Sequence, residues 1–289
     1  MESIDIRSLE RLRNLHLNIK RSFSVNEGKR RTSRKGRSAE FSGYREYIPG
    51  DDMRYVDWNA YARLDKMYIK EYMEEREGRV NILLDTSKSM DFGEHLKSTL
   101  MSELTLALSY IASNGKDAVY VTDLGNVSNT FRVPSGNNGL LMLKKWLENV
   151  QVKGSVNISE SIKRINIGRG GNVFILSDFM DENFVDRERD IIKYLQYKNM
   201  EVSFVHILSE EEVNIDLTGA YDFYDSENEG ANVRVTLDTQ TISQYEKALD
   251  NYIKRIKTNA LSSGATYYLC TTKDTFDKVI FETMRTIFI

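Results

Sequence analysis

Short apolar runs alternate with helical periodicity from residue 79 to the end of the chain. Apolar runs bounded by polar turns are typical of buried parallel strands. The predicted strands cover 79–85, 117–124, 129–134, 172–179, 201–208 and 265–272. The predicted helices, in which apolar residues recur at three- and four-residue spacing, cover 96–114, 139–150, 158–165, 182–199, 242–264 and 274–288. This alternation predicts an α/β fold with a doubly wound, mostly parallel sheet covered by helices on both faces.

The first 78 residues follow a different pattern. Four regularly spaced apolar residues predict a helix over 4–23, and the basic, Gly- and Ser-containing stretch 26–38 is typical of a linker. A compact aromatic and charged segment follows, with a predicted strand at 67–75. We therefore expect an N-terminal helical and β extension of residues 1–78, followed by the α/β domain of residues 79–289.

Composition narrows the possible function classes. The chain has 289 residues, is 40% hydrophobic and 29% charged, and carries a formal net charge of −3, which argues against a uniformly basic nucleic-acid binder. One cysteine and three scattered histidines exclude a disulfide framework, a Cys-based zinc cluster and a His-rich metal cage. The N-terminal residues do not have the apolar core of a secretory signal, and no apolar run is long enough for a membrane span. The sequence therefore predicts a cytoplasmic protein.

Charge is distributed unevenly along the chain. Residues 1–40 contain 11 Lys and Arg against 5 Asp and Glu, and six of those basic residues crowd into 29–37. This segment is either a solvated linker or a contact for phosphate or an acidic partner. Residues 209–229 contain eight carboxylates and no Lys or Arg. They predict an irregular, solvated insertion that ends in a hairpin strand, or a dock for a basic partner.

Polar side chains directly follow two of the predicted strands. Asp85, Ser87 and Ser89 follow the first strand, and Ser177 with Asp178 closes another strongly apolar one. Carboxylate and hydroxyl oxygens suit Mg²⁺ if the two strands are neighbours. The alternative is that these residues only cap helices. The sequence shows no constellation of His, Cys or Lys residues near these loops that would supply a nucleophile or base.

Two motifs resemble known families. The segments ILLDTSKSM (82–90) and ILSDF (175–179) resemble the metal-ion-dependent adhesion site of von Willebrand factor A domains. The stretch EFSGYREYIPGDDMRYVDWNAYAR (40–63) before them resembles the signature of the bacterial family called domain of unknown function 58 (DUF58). The positions that match it are Glu40, Phe41, Arg45, Tyr47, Pro49, Gly50, Asp51, Asp52, Arg54, Asp57, Trp58, Ala62 and Arg63.

The signature itself admits two interpretations. Asp51 and Asp52 with Arg54 and Arg63 could form a buried polar network that braces the small N-terminal region, with Trp58 in its core. Alternatively, the signature residues contact a partner or form a second polar site. The residues concerned are Arg45, Asp51, Asp52, Arg54, Asp57, Trp58 and Arg63.

The resemblance implies a cation site with Asp85, Ser87, Ser89 and Asp178 as ligands. The family usually supplies a threonine between the two loops, and Val156 occupies that position here, with Ser155 beside it. Valine has no oxygen to donate, so Ser155 could substitute only if the loop shifts by one residue. The resemblance therefore implies Mg²⁺ (or Mn²⁺ or Ca²⁺) that binds weakly or only with a partner.

The resemblance further implies a non-catalytic adaptor. Such a protein would work with a MoxR-type AAA+ ATPase in protein maturation or complex assembly, and would bind a client through an acidic residue of that client. The chain contains no Walker A motif, so we do not expect it to hydrolyse ATP. Two alternatives are a Mg²⁺-dependent phosphatase that uses Asp85, and nucleic-acid binding through residues 29–37.

Overall fold

The computed structural model describes residues 6–18, 40–73, 78–181, 184–224 and 232–288. The predicted linker with its basic segment, the end of the predicted N-terminal helix and part of the acidic stretch therefore lie outside the described residues. Among the helices of the described ranges, none combines the length and the apolarity that crossing a bilayer requires.

The chain divides into two units. The sheet unit comprises Met1–Lys20 and Gly78–Ile289, and the small unit comprises Arg21–Glu77. The predicted extension of residues 1–78 is thus divided between the two units, because its first residues are grouped with the sheet.

The small unit is an antiparallel ribbon with one short helix. Its elements are β1 (Glu40–Glu46), a 3-10 turn (Met53–Tyr55), α1 (Trp58–Leu64) and β2 (Tyr68–Met73). Arg45 of β1 lies opposite Ile69 of β2, and Val56 forms an isolated bridge to Ile69. Val56 and Ile69 are buried, so they are the apolar centre of this unit. β2 agrees with the predicted strand.

The strands of the sheet unit follow the predicted order. They are β3 (Arg79–Leu84), β4 (Ala118–Asp123), β5 (Thr130–Arg132), β6 (Gly171–Ser177), β7 (Met200–Leu208), β8 (Gly219–Tyr224), β9 (Asn232–Leu237) and β10 (Thr266–Thr271). Six of them form the central sheet in the order β10-β7-β6-β3-β4-β5, and only β5 runs antiparallel to its neighbour. This is a doubly wound order in which the direction of winding reverses between β3 and β6. The predicted fold class is confirmed.

Helices cover both faces of the sheet. They are α2 (Lys97–Asn114), α3 (Asn137–Glu148), α4 (Ile158–Arg164), α5 (Phe184–Tyr197), α6 (Glu210–Val213), α7 (Thr239–Ser262) and α8 (Phe276–Lys278). Ile82 and Leu84 of β3 point into the core that α2 and α3 cover, whereas Leu83 points into the core under α4, α5 and α7. The two-residue alternation of a strand therefore supplies both apolar layers.

The N-terminal segment differs from its prediction. Within the described residues 6–18, Ile6–Leu12 is helical, as a 3-10 helix, and Leu17 then pairs with Phe288 in an antiparallel bridge. Leu9 and Leu12 are fully buried in the core of the sheet unit. The prediction of one long α-helix is wrong over these residues because the chain becomes extended to pair with its own C-terminal end.

Two further segments differ from their predictions: one contains an additional short helix, and in the other the predicted helix is interrupted. Residues 210–213 form the short helix α6, capped by Ser209 and Glu212, where we expected irregular chain. The predicted last helix is instead α8 followed by a π turn (Val279–Thr283) and a 3-10 turn (Arg285–Ile287). The hairpin strand is confirmed as β9, which pairs with β8.

Candidate functional site

The carboxyl ends of β3 and β6 meet at the centre of the sheet. The two strands are parallel neighbours with Leu84 opposite Leu176, and the amide of Asp85 donates to the carbonyl of Leu176 at 2.9 Å. Asp85 directly follows β3, and Asp178 directly follows β6. Ligands of doubly wound sheets bind outside the carboxyl ends at such a reversal. We call this region, with Asp85 and Asp178, the switch-point edge.

Asp85 is almost completely buried and is held by its own loop. Its Oδ1 accepts a hydrogen bond from the amide of Ser87 at 3.0 Å, and its Oδ2 accepts one from the hydroxyl of Ser177 at 2.5 Å. The hydroxyl oxygens of Ser87 and Ser89 lie 2.9 Å apart. Burial, and then the charge of Asp178, raise the pKa of Asp85 above its ordinary range. The structure thus brings together these residues, which the sequence analysis singled out.

A buried lysine neutralises Asp178. The Nζ of Lys97 lies 2.7 Å from Asp178 Oδ2 and 2.7 Å from Glu212 Oε1, and its side chain is 0% exposed. The other oxygen of Asp178, Oδ1, accepts the amide of Met180 at 3.1 Å. Burial by itself would lower the pKa of Lys97, but the charges of Asp178 and Glu212 raise it above its ordinary value. The lysine is therefore an ammonium ion inside the protein.

The sequence analysis missed Lys97, which did not stand out among the residues near these loops. It is the first residue of α2, where a positive charge opposes the helix dipole. That unfavourable position is the one signal by which the sequence could have indicated a role for this lysine.

The loop expected to supply a third ligand runs beside the first loop. The carbonyl of Gly154 accepts the amide of Lys88 at 2.8 Å. Ser155 is exposed, and Val156 is buried within the apolar core under α4 and α5. No hydrogen bond joins Ser155 to Asp85 in the described part of the chain, so the loop adjoins the edge through its backbone.

The end of β4 braces the first loop. The hydroxyl of Thr86 donates to Asp123 Oδ1 at 2.6 Å, and the same oxygen accepts the amides of Gly125 at 2.9 Å and Asn126 at 3.2 Å. A Cβ on Gly125 would lie 2.5 Å from the Thr86 hydroxyl oxygen, so the turn requires glycine. The sequence analysis located the end of β4 but missed these hydrogen bonds to Asp123. The Asp-x-Gly turn at the end of the strand is the pattern by which the sequence could have indicated them.

In the small unit, Arg45 and Asp51 form a two-pronged ion pair. The guanidinium nitrogens of Arg45 lie 2.6 and 2.7 Å from the two carboxylate oxygens of Asp51. Asp51 also accepts the amide of Ile48 at 2.9 Å, which closes a turn through Gly50, whose φ is +109°. The hydrogen bond from Arg45, followed by that of Ile48, lowers the pKa of Asp51 to about 2.

The structural interpretation of the signature is wrong in two respects, the burial of its polar network and the core position of Trp58. Asp52 pairs with Arg54 at 2.5 Å, but both side chains are exposed, and so is Arg63. Trp58 is 53% exposed and contacts the ring of Tyr61 edge-on, with centroids 6.3 Å apart. A two-stranded ribbon with one short helix has too little interior to enclose an indole ring.

Asp57 is the buried carboxylate of the signature. Its Oδ1 accepts the amides of Asn59 and Ala60 at 3.0 and 3.2 Å, which caps α1. Its Oδ2 accepts the Tyr44 hydroxyl at 2.9 Å and lies 3.3 Å from the Nζ of Lys70. Burial opposes ionisation, yet the hydrogen bond from Tyr44 and the others together lower the pKa of Asp57. The signature therefore stabilises local turns and one helix start.

Comparison with protein families identifies the chain. The family described as protein of unknown function DUF58 matches residues 43–253. The chain belongs to this family. The match includes most of the signature in the small unit and the whole switch-point edge, so the resemblance expected from the sequence is confirmed.

Relatives of this DUF58 protein carry no assigned activity in their names. Uncharacterized protein Rv1480 of Mycobacterium tuberculosis is 27% identical over 179 residues, which cover 58% of this chain and 56% of the relative. Uncharacterized protein Mb1516 of Mycobacterium bovis matches with the same values. The chain thus spans little more than half the length of these relatives.

Solved structures with a similar arrangement include two proteins of distant sequence. The conserved hypothetical protein BatB from Bacteroides thetaiotaomicron is 18% identical with a TM-score of 0.40, and covers 73% of this chain and 98% of its own. The SpRpn10 VWA domain is 10% identical with a TM-score of 0.36, and covers 69% of this chain and 91% of its own. These scores are low, and the fold class rests on the strand order described above.

The oxygens of this DUF58 protein do not form a complete divalent-metal site. Asp178 is already paired with the ammonium of Lys97, position 156 offers a methyl group, and both oxygens of Asp85 accept hydrogen bonds. A hard divalent cation binds through available carboxylate or hydroxyl oxygens together with waters, so these protein oxygens would first have to leave their present contacts. Among the described residues, no group of three or more His, Cys, Asp or Glu side chains could hold a metal ion. Binding of Mg²⁺, Mn²⁺ or Ca²⁺ stays a prediction for titration.

Proposed function

We propose that this protein is a non-catalytic protein-interaction protein whose contact surface is the switch-point edge. The observation that carries the proposal is the pairing of Lys97 with Asp178 and Glu212 inside the protein. Because the ammonium and both carboxylates are held in these contacts, they offer no free nucleophile or base to a substrate. The edge also presents an apolar rim to solvent.

Two exposed apolar side chains form that rim. Phe92 is 49% exposed, and its ring centroid lies 5.9 Å from the Nζ of Lys97. Met180 is 41% exposed, and its amide donates to Asp178. Both residues therefore adjoin the ion pairs of Lys97 with Asp178 and Glu212, which we call the ion-pair cluster. Aromatic and methionine side chains over a rigid buried support are typical anchors of protein interfaces.

We propose a MoxR-type AAA+ ATPase as the partner, with a client protein that is matured or assembled. Membership of the DUF58 family and the family resemblance support this partner. The chain has no phosphate-binding loop of its own, so the partner would hydrolyse the nucleotide. The cytoplasmic location of this complex stays a prediction.

Binding to the purified ATPase tests the proposal. We expect the full chain to bind a purified MoxR-type ATPase, and Phe92→Ser and Met180→Ser each to weaken binding by about tenfold, because each removes an exposed anchor. Surface-immobilised binding at several protein concentrations measures the dissociation constants.

Leu261→Ser is the matched control, because Leu261 is 53% exposed on α7, outside the switch-point edge. It should bind as tightly as the wild type. If the wild type binds no ATPase, the partner assignment is wrong. If the rim variants bind like the control, the surface assignment is wrong.

The phosphatase alternative is tested separately. A buried Asp85 with both oxygens in hydrogen bonds is poorly placed to attack a phosphate ester, which supports the non-catalytic proposal. Turnover of a generic aryl phosphate that disappears in Asp85→Asn would favour the enzyme instead.

A further inference from the structure

The ion-pair cluster links the ends of three parallel strands. Lys97 starts the helix that follows β3, Asp178 follows β6, and Glu212 lies in the helix that follows β7. A single ammonium group with two contacts of 2.7 Å therefore joins loops that come from distant parts of the sequence.

Glu212 is oriented for this contact by a capping box. Its Oε2 accepts the amide of Ser209 at 2.7 Å, and its own amide donates to the Ser209 hydroxyl at 3.2 Å. The remaining oxygen, Oε1, points at the Nζ of Lys97. Because the box holds both the backbone amide and the carboxylate of Glu212, the contact with Lys97 is preorganised rather than incidental.

The helix dipole and burial both disfavour a cation at the position of Lys97. The residue is at the N-terminus of an 18-residue helix, where a cation opposes the dipole, and its side chain is 0% exposed. A buried ammonium is tolerated only when carboxylates compensate it. The carboxylates of Asp178 and Glu212 are the reason that a lysine can occupy this place.

We infer that the Nζ of Lys97 is a built-in cation that supplies the countercharge at the switch-point edge, so that the edge assembles without a divalent metal ion. A metal ion near Asp178 would meet this ammonium at close range, and the two positive charges would repel each other. Val156 adds to the effect because it places an aliphatic group where a ligand oxygen would be needed.

The inference concerns the assembly of the edge and is tested without any partner. Its failure is thus distinguishable from failure of the proposed function, which is tested by ATPase binding. It also bears on recognition, because a partner carboxylate would find the cation already occupied by Asp178 and Glu212.

Titration of the wild-type full chain with Mn²⁺ is the first measurement. Electron paramagnetic resonance reports free Mn²⁺, and we expect no saturable binding up to about 1 mM, together with a melting temperature that Mn²⁺ and Mg²⁺ leave unchanged. An ion bound with a dissociation constant of about 10 µM would instead raise the melting temperature by several degrees at that concentration. Such a rise would overturn the inference.

Lys97→Met is the second measurement, because methionine keeps the length and apolar stem of the side chain without its charge. We expect the metal-free melting temperature to fall by about 10 °C, since two carboxylates lose their cation. The double variant Lys97→Met/Asp178→Asn should recover part of this loss, because it removes one uncompensated charge.

Lys254→Met is the matched control, because Lys254 also pairs with a carboxylate, Asp250, but is exposed. It should melt like the wild type. The inference fails if Lys97→Met also melts like the wild type, or if the double variant is less stable than the single one. If Lys97→Met yields no folded protein, the comparison of the double variant with Asp178→Asn alone and the wild-type titration decide.

Discussion

The buried charged side chains of this protein differ in whether a partner of opposite charge compensates them. Lys97, Asp178 and Glu212 compensate one another within hydrogen-bonding distance. Glu188 of α5 is equally buried, yet among the described residues neither of its carboxylate oxygens makes a hydrogen bond of ordinary geometry. Burial raises the pKa of Glu188 to about 7, although Asn259, Arg189 and Arg255 act in the opposite direction.

The raised pKa gives a stability that depends on pH. The unfolded chain releases this proton near the ordinary glutamate value of 4.5, whereas the folded protein keeps it up to about pH 7. The unfolded state therefore binds fewer protons between these values, and the contribution of Glu188 to stability falls as pH rises from about 4.5 to 7.

We expect Glu188→Gln to raise the melting temperature at pH 8 by a few degrees and to have little effect at pH 4.5. The amide removes the charge that is costly at high pH and resembles the protonated acid that is present at low pH. Thermal melts of both proteins at several pH values check the sign.

Glu160→Gln is the control, because Glu160 is exposed and pairs only with Arg164 on the same helix. Its melting temperature should follow the wild type at every pH. An increase for Glu188→Gln that is equal at pH 4.5 and pH 8 would contradict the assignment.

At the scale of single elements, the start of a helix depends on a nearby side chain that accepts hydrogen bonds from its first backbone amides. Asp57 begins α1 by accepting two backbone amides, and Asp238 begins α7 by accepting the amide of Thr241 at 2.7 Å. These caps are readable from the sequence because an Asp precedes each helix by one residue. Asp85 caps no helix in the same way, since its carboxylate accepts the amide of Ser87, which itself precedes the 3-10 turn Lys88–Asp91.

We expect Asp57→Ala to destabilise the start of α1 by about 1–2 kcal/mol. The amides of Asn59 and Ala60 lose their acceptor, so hydrogen exchange at these two positions should become faster. Exchange measured by NMR or mass spectrometry resolves the effect.

Asp57→Asn serves as the comparison for this helix, because it keeps a capping oxygen while it removes the charge. Exchange at Asn59 and Ala60 should then be slower than in Asp57→Ala. Equal exchange in wild type and Asp57→Ala would show that the cap contributes nothing.

Elements predicted from periodicity were correct where the period is sustained over a buried face. The residues of α2 and α7 and the fully buried β6 follow the expected pattern. The predicted N-terminal helix failed because Leu17 pairs with Phe288, a contact that no local pattern encodes. The predicted last helix is interrupted by a π turn at Val279–Thr283, where tertiary packing outweighs helical periodicity.

At the scale of the whole molecule, residues near the two ends of the described chain pair with each other: Leu17 forms a bridge with Phe288. Residues 6–18 belong to the sheet unit although the small unit intervenes in the sequence. Leu9 and Leu12 contribute to the same apolar core as α2, and the amide of Asn18 donates to the carbonyl of Ile287 at 2.8 Å. The N-terminal segment is thus part of the core that supports the switch-point edge.

We expect Leu12→Ala to lower the free energy of unfolding of the sheet unit by about 3 kcal/mol, because it leaves a cavity in a fully buried position. Urea denaturation followed by tryptophan fluorescence or circular dichroism measures the change. The effect would be unexpected if the N-terminal residues were only an extension.

Leu141→Ala is the matched control, because Leu141 lies on α3 and is 50% exposed. Its loss should be below about 1 kcal/mol. If Leu12→Ala unfolds at the same urea concentration as the control, the N-terminal segment does not support the sheet.

The sequence by itself determined the α/β class, the position of most strands, and the placement of Asp85, Ser87, Ser89 and Asp178 at strand ends. These follow from local periodicity and from the rule that parallel strands share one carboxyl edge. Only the tertiary structure decided what the carboxylates contact. Lys97 is 81 residues from Asp178 and 115 from Glu212, so their pairing depends on how the strand ends are brought together. The tertiary structure also decided that Trp58 is exposed and that Val156 lies in the apolar core, because burial depends on which surfaces meet.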